Sequence, residues 1–399
     1  MSSLDWVLLP NVPLALLQIE ADTTSMRFLL CARHYPPLIS GGSRRPYLFA
    51  QGLRELGHSV DVVAPILMGD ETGFSVPHIN SQLPEIVEVE TARGGLKATL
   101  RQLAYWPDPD IRWARAARKR FHQSADQYDA VLTSSPPESV HWIGASLKRK
   151  HKIKWIADFR DNWLESPLDA ERKRAYRQFG ERWLARRWLK YCDLVIAPTQ
   201  TILDEIQRHS RSRIAAQLVP QACEPIVPSG HLTPRTSDGS VHIVHSGSFT
   251  LSDPDRSIKP SLDVLEELVS EGWDIHISLI GRLTDEETRL ARLRLGTRVT
   301  LSGLMPRQEV LQKLTDCDAL LLSISDGTKA EPGKLAEYKA AQKPILVVGK
   351  GAWLGPSGIP DIKPSDLLKR MESGQSIPVP NVPPSPVEVV KMILKNIAI

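Results

Sequence analysis

Glu331, Gly333, Lys334, Leu335 and Glu337 fall in one run, Glu331-Pro-Gly-Lys334-Leu-Ala-Glu337-Tyr338, which leads through Lys343 into the apolar Pro344 to Val348. A Pro-Gly loop here delivers a helix with Lys334 at its start and Glu337 one turn in. The first N–H groups of a helix and their partial positive charge suit a diphosphate, and a carboxylate one turn further can accept both hydroxyls of a ribose. The same spacing also describes an ordinary helix start, with Glu337 as a dipole partner and Lys334 as a solvated charge. Spacing alone leaves both readings open.

A second cluster, Asp158, Arg160 and Asp161, follows the apolar run Lys154 to Ala157 and so belongs at the carboxyl end of a strand. One of these acids could orient or deprotonate a hydroxyl; the cluster could equally be an Asp–Arg network bracing its loop. His34 and His245 also sit at strand ends, where a histidine either reaches a cleft or is structural. The pairs Asp108-Pro-Asp110, Asp253-Pro-Asp255 and Asp316-Cys-Asp318 have the spacing of metal-binding acids. A Pro or Cys between acids is common in turns and helix starts, which is the reading adopted. The four cysteines lie far apart with no C-x-x-C, which fits a reducing cytosol rather than a zinc ribbon or disulfide framework.

The elements that must carry these residues alternate short apolar runs with amphipathic segments, the pattern of parallel sheets covered by helices. Strands are expected at 27–31, 59–64, 130–133, 154–157 and 194–197, with Gly41 and Gly42 in the first loop and helices at 45–56, 110–124, 139–149, 171–190 and 199–208. Pro220 to Pro234 holds four prolines and a glycine and reads as a linker, about 220–238. Beyond it strands are expected at 241–245, 275–280, 299–301, 319–323 and 344–348, and helices at 261–270, 308–315 and 334–341. A Pro-rich segment, 364–386, precedes a last helix with Val389, Val390, Ile393 and Ile397 on one face. The division is therefore 1–25, an extension or misassigned start; 26–225, a first doubly wound domain; 226–385, a second; and 386–399, a helix. Two such domains would bind ligands between their strand ends.

With 399 residues, 42% hydrophobic and 24% charged, the chain is neither a mini-protein, nor globally disordered, nor a polytopic membrane protein. Its net charge of +4 is uneven: residues 100–190 hold 20 Lys or Arg against 11 Asp or Glu, a local +9 that leaves −5 elsewhere. Seven of the ten tryptophans fall in that window. Arg182, Arg186 and Lys190 recur at helical spacing beside Trp183 and Trp188, and Arg112 to Phe121 repeats the mixture. Such a face suits anionic headgroups, while core tryptophans flanked by solvated charges would look the same. No nucleic-acid signature is present, and no nucleic-acid partner is expected. The stretch Trp6 to Ile19 has two prolines, acidic flanks and too little length to span a bilayer.

Lys334-Leu-Ala-Glu337-Tyr-x-Ala-Ala-x-Lys-Pro-Ile resembles the K-L-x-E-Y-x-A-A-G-K-P variant of the E-x7-E motif of retaining GT-B glycosyltransferases, a family that includes many bacterial surface-polysaccharide enzymes. Further matches follow in order over most of 26–399. Gly41-Gly42 resemble the family's glycine loop, Asp158-Phe-Arg160-Asp161-Asn-Trp163 its D-x-R-D-x-W segment, and Val299 to Leu304, with Gly303, its base-binding turn. The resemblance implies an α/β GT-B fold, two Rossmann-like domains facing across a cleft with the C-terminal helix packed back on the first. It assigns Glu337 to the ribose. It also implies that basic side chains after the first strand of the second domain hold the pyrophosphate, where Ser246-Gly247-Ser248-Phe249 is followed by Arg256, the better match, and Lys259. Lys329 stands where the first Glu of the motif would lie, with Glu331 the nearest acid, and Gln342 replaces the Gly before Lys343.

The expected activity is transfer of a hexosyl or N-acetylhexosaminyl group, with retention and without a metal, from a nucleotide diphosphate sugar to a saccharide or lipid-linked acceptor. Asp158, Arg160, Asp161 and Arg256 would do the chemistry, and no cofactor is expected beyond the donor itself. The expected location is the cytoplasm, at or near the inner face of the plasma membrane. A GT-B epimerase or hydrolase, and an inactive binding module suggested by Lys329, are the rivals. A dinucleotide oxidoreductase is disfavoured, since no G-x-G-x-x-G follows the first strand.

Overall fold

A computed structural model describes residues 25–36, 42–64, 106–165, 175–210, 214–224, 226, 239–326, 331–351 and 353–397, the side chains of 175 and 176 excepted. The N-terminal extension, Gly41, Lys329 and most of the linker lie outside them. Six strands form the first sheet: β1 Arg27–Ala32, β2 Ser59–Val63, β3 Ala130–Ser135, β4 Lys154–Phe159, β5 Leu194–Ala197 and β6 Ala216–Leu218. They pair in parallel in the order β2-β1-β3-β4-β5-β6. Because helices cover both faces, the strands are near-continuous apolar runs whose alternate residues serve different cores. Leu29 and Cys31 pack with Trp113, Val131 and Trp155, whereas Phe28 and Leu30 pack with Leu48, Leu132 and Ile156.

The first-domain helices are α1 Arg44–Glu55, α2 Ile111–Phe121, α3 Val140–His151, α4 Ala175–Leu189 and α5 Gln200–His209. The second sheet holds β7 Val241–Ser246, β8 Ile275–Ile280, β9 Val299–Gly303, β10 Ala319–Ser323 and β11 Ile345–Val348, parallel in the order β11-β10-β7-β8-β9. Its helices are α6 Lys259–Ser270, α7 Asp285–Leu295, α8 Arg307–Asp316, α9 Leu335–Ala341 and α10 Pro364–Glu372. Each sheet reverses direction once, between β1 and β3 and between β7 and β10. Ligands of doubly wound sheets bind outside the strand ends at such reversals.

The last helix, α11 Pro386–Lys395, starts with a capping box, Ser385 and Glu388 each bonding the other's backbone. Its buried Val389, Val390 and Ile393 join the core of the first domain, not the second. The helix approaches so closely that a Cβ on Gly52 of α1 would lie 2.3 Å from the Pro386 carbonyl oxygen.

Most tryptophans of the basic window are core. Trp113, Trp155, Trp163 and Trp188 are buried, and Trp106 and Trp142 pack against them. Only Trp183 of the seven is exposed, beside exposed Phe179 on α4. The basic, aromatic surface is thus one helix face, not a tryptophan-rich region.

Gly52→Ala should destabilise the protein by about 1–3 kcal/mol, because overpacking against α11 outweighs the gain of about 1 kcal/mol in helix propensity. Denaturant unfolding checks the sign, and a more stable variant would mean that α11 is not docked on α1.

Candidate functional site

The reversal of the second sheet falls at the end of β7. Gly247, the next residue, has φ +112°, and Gly281 after β8 has φ +128°. A Cβ on Gly281 would sit 2.7 Å from the Gly247 carbonyl oxygen, so two glycines let these turns meet. The Gly247 N–H donates to Ile280 O at 2.7 Å. The Ser246 N–H donates to the Tyr338 hydroxyl at 2.9 Å, and that hydroxyl donates to Leu321 O at 3.2 Å. The backbone beside Gly247 is held from β8 and α9, and through Tyr338 from β10.

Two cations flank this turn. Lys334, the N-cap residue of α9, carries its Nζ to Gly247, whose Cβ would stand 3.7 Å away. Burial, and then Arg256, push the Lys334 ammonium down to about 7, with Glu337 acting in the opposite direction. Arg256 is likewise lowered by burial, opposed by Asp253. Its Nη2 lies 3.5 Å from Asp253 Oδ2, an oxygen that also accepts the Ser325 hydroxyl, and its Nε is buried with no partner. Two half-buried cations thus lie close enough for Arg256 to lower Lys334, with Asp253 acting on Arg256 and Glu337 on Lys334.

Glu337 Oε1 accepts from Arg307 Nη1 at 2.7 Å. Arg307 Nε lies 3.7 Å from Glu224 Oε2, and Arg44 Nη2 is paired with the same oxygen. A ladder of alternating charge therefore runs from Glu337 to the first residue of α1, two residues after Gly42. Arg44, Glu224 and Arg307 were not singled out in the sequence: they lie far apart in it, and no motif marks them.

The remaining expected donor residues are placed as follows. Gly303 ends β9 with φ +63°, its carbonyl accepting the Gly281 N–H at 2.8 Å, and Leu304 beside it is half exposed. Lys259 is exposed at the start of α6. Leu335 is buried core. Glu331 is bonded to Ser357 and lies 3.8 Å from Lys339, so it is engaged away from Lys334. A Cβ on Gly333 would meet nothing within 4 Å.

On the first sheet the two acids divide. Asp158 is fully buried inside β4, where Arg45 Nε meets both its oxygens at 2.9 and 3.2 Å and the Ser134 hydroxyl donates at 2.7 Å. Asp161 keeps access to solvent, while the surrounding protein raises its carboxyl above the ordinary value and Arg160 pulls it back. Arg160 bonds Ser135 O at 2.8 Å and Gly42 O, bracing the glycine loop. Burial, then Arg160 and Arg33, push His34 down to about 4, so its imidazole is neutral at physiological pH.

Each spaced acid pair has protein partners. Asp108 accepts from the Ser139 N–H and hydroxyl, and burial lifts it to about 6. Asp110 pairs with Arg33 at 2.8 Å. Asp253 faces Arg256 and Ser325, and its other oxygen accepts the Asp255 N–H. Asp318 accepts the His242 N–H and Asp316 the Gln312 amide.

Residues 40–221 match the model of a glycosyl transferase 4-like domain. No curated protein sequence matches the chain. Among solved structures, Anabaena Alr3699/HepE in complex with UDP and glucose is 14% identical with a TM-score of 0.57, over 93% of this chain and 98% of that one. Sucrose-phosphate synthase from Thermosynechococcus elongatus is also 14% identical with a TM-score of 0.57, over 87% and 90%. A Listeria monocytogenes protein provisionally described as a UDP-N-acetylglucosamine 2-epimerase is 12% identical with a TM-score of 0.53, over 94% and 96%. The fold is GT-B: two doubly wound parallel domains, the first carrying the glycosyl transferase 4-like match. Transferases and an epimerase share it, so the reaction must be argued from the site.

Lys334 sets a pH dependence. Its ordinary value is 10.5 and its folded value about 7. The unfolded chain therefore holds a proton that the folded one lacks between these values, and stability rises with pH across that window. Lys334→Met should be more stable than the parent at and below pH 7, with the difference vanishing towards pH 10.5. Melting temperatures across this range check it, and equal values at pH 6 would show that the ammonium is not desolvated.

Proposed function

We propose that the protein is a glycosyltransferase that moves a sugar, with retention and without a metal, from a nucleotide diphosphate sugar to an acceptor hydroxyl in surface-polysaccharide or related glycan assembly. The observation that carries this reading is the pair Lys334 and Arg256, half-buried and near each other with Lys334 Nζ at Gly247; the carboxylates acting on them, Glu337 and Asp253, are shared with Arg307 and Ser325 and so leave negative charge for a ligand to supply. A diphosphate supplies that charge. As the bond from the anomeric carbon to the diphosphate oxygen breaks, its electron pair leaves with the diphosphate, and fixed cations there stabilise the transition state more than the ground state. The bound UDP of HepE and the motif around Glu337 support the donor class. Retention and metal independence rest on the motif resemblance.

Glu337 has one oxygen on Arg307 and a second for the ribose, and the half-exposed Leu304 beside Gly303 offers an apolar surface to a base. On the acceptor side, Asp161 is the carboxylate that orients the attacking hydroxyl, and the departing phosphate or Asp161 takes its proton. Arg160 holds the glycine loop. Asp158 works through Arg45 as a brace.

Screening nucleotide diphosphate sugars with and without saccharide acceptors tests the reaction. Acceptor-dependent release of the nucleoside diphosphate is expected. Arg256→Ala should lower kcat more than it raises KM, by about tenfold to a thousandfold, since the charge on the leaving group peaks in the transition state. Turnover that ignores acceptor would mark an epimerase or hydrolase, and binding without turnover a binding module.

The acceptor is taken to be presented at an anionic membrane. No described helix is long and apolar enough to cross one. α4, however, exposes Phe179 and Trp183, the Arg187 guanidinium lies 5.4 Å over the Trp183 ring, and Lys190 is exposed just beyond. Aromatic anchors with cations, each worth on the order of 1 kcal/mol at an anionic surface, suit reversible binding. The protein should sediment with anionic vesicles at low salt and not with neutral ones, and Phe179→Ser with Trp183→Ser should abolish this. Arg187 and Lys190 are the charges to reverse, because Arg186 is bonded to His209 O. Parent protein that ignores anionic vesicles would leave α4 a solvated face.

A further inference from the structure

His245 is a fully buried titratable group that the mechanism above does not use. It is the fifth residue of β7, next to the reversal with β10. Its Nδ1 lies 2.9 Å from Leu321 O on β10. A carbonyl oxygen can only accept, so Nδ1 carries the proton, and Nε2 is left with a lone pair. Phe249 stacks on the ring at 4.4 Å between centroids and 13° between planes, and the turn at Gly247 brings that ring back over it. The imidazole is thus fixed in tautomer and in plane. Its Nε2 points at Lys334 Nζ, 3.4 Å away.

The partner of this lone pair is the cation nearest Gly247. We infer that His245 is a positioning residue: as a neutral acceptor it aims the Lys334 ammonium at the diphosphate without neutralising it. The inference rests on the donor-site reading above. A carboxylate at this position would orient the lysine equally well but would cancel the charge the diphosphate needs. An apolar residue would leave the charge but not its direction, because a lysine side chain has four rotatable bonds and loses binding energy to each one that must be frozen. A histidine kept neutral by burial, with its proton already committed to Leu321 O, satisfies both requirements. The other charged groups acting on Lys334 are Arg256 from the loop after β7 and Glu337 from α9. Asp253 is engaged by Arg256 and Ser325, Arg256 has no acceptor atom, and Glu337 Oε1 is bonded to Arg307.

The test uses inorganic pyrophosphate as probe and calorimetry from pH 6 to 9, with the full chain. His245→Phe keeps the ring and its stacking on Phe249 and removes both nitrogens; Leu321 O still has the Tyr338 hydroxyl. His245→Gln returns an acceptor near the Nε2 position. Pyrophosphate should bind His245→Phe about tenfold more weakly, as for loss of one hydrogen bond to a charged group, and His245→Gln should recover most of the loss. The pH midpoint of binding should move in His245→Phe and return in His245→Gln, which a merely structural histidine would not produce. Parent-like affinity and pH profile in a folded His245→Phe, while Lys334→Met and Arg256→Ala lose binding, would overturn this inference and leave the donor site standing. Failure of the parent protein to bind pyrophosphate would overturn both. If His245→Phe does not fold, His245→Gln and His245→Asp decide: the glutamine must keep binding and the aspartate lose it.

Discussion

The buried ion pair of Arg45 and Asp158 is the constraint on which the first domain's functional edge depends. Arg45 spends its Nε on both oxygens of Asp158, Nη1 on Pro220 O and Nη2 on Val219 O. One guanidinium therefore joins α1, the fourth strand and the segment that leads away from β6 towards the second domain. Removing one partner of such a pair leaves an unpaired buried charge, typically a loss of about 3–5 kcal/mol. The neighbouring arginine faces the other way: Arg44 pairs with Glu224, and Glu224 with Arg307 and hence Glu337. Two consecutive residues at the start of α1 thus serve the inside of one domain and its contact with the other.

The two strand-end sites differ in how charge is balanced, and the difference matches their proposed tasks. At the first sheet Asp158 is neutralised by Arg45 and Asp110 by Arg33, which leaves Asp161 as the carboxylate open to solvent. At the second sheet two cations, Lys334 and Arg256, are both lowered by burial, with Glu337 and Asp253 the carboxylates acting on them. A folded protein keeps buried like charges together only where the surrounding structure over-determines them, and such places are commonly functional. Here the over-determination is visible in the Gly247–Gly281 contact and in the Tyr338 and His245 bonds to Leu321 O.

Every described strand but β6 was legible in the sequence, because buried parallel strands are apolar runs. Three elements were not. β6 is three residues with little burial; α7 has six charged residues among its eleven, with Ala291 and Leu295 its buried apolar residues, although its capping box Thr284-x-x-Glu287 marks its start; and α10 lies within a Pro-rich segment, where Pro364 is a normal first helical residue. The Asp158, Arg160, Asp161 cluster was found by type and by its place after a strand. Its division into a braced and an open acid was hidden, because β4 runs on to Phe159, two residues beyond the apolar pattern, and pairs Asp158 with Ser134 inside the sheet. Counting tryptophans in a basic window could not tell faces apart either. Trp183 and Trp188 are five residues apart on one helix and so point in different directions, one to water and one to the core.

Among the described residues, the contacts between the domains include a ladder of partly exposed ion pairs. The side chains of Arg44, Glu224, Arg307 and Glu337 are 16–30% exposed, and links of that kind are worth on the order of 1 kcal/mol each. The apolar contact beside them is small: Cys223, Ala336 and Ala340, with Ile226 against them. The chain passes between the domains twice, once after β6 and once before α11, and the two passages are tied where the Cys223 N–H donates to Pro384 O at 3.1 Å. The two crossings are thus tied to each other beside a ladder of partly exposed ion pairs. Because Glu337 is one end of that ladder and Arg44 the other, any ligand that takes Glu337 from Arg307 also changes the charge felt at the start of α1. Four side chains of alternating charge therefore link the start of α1 to α9.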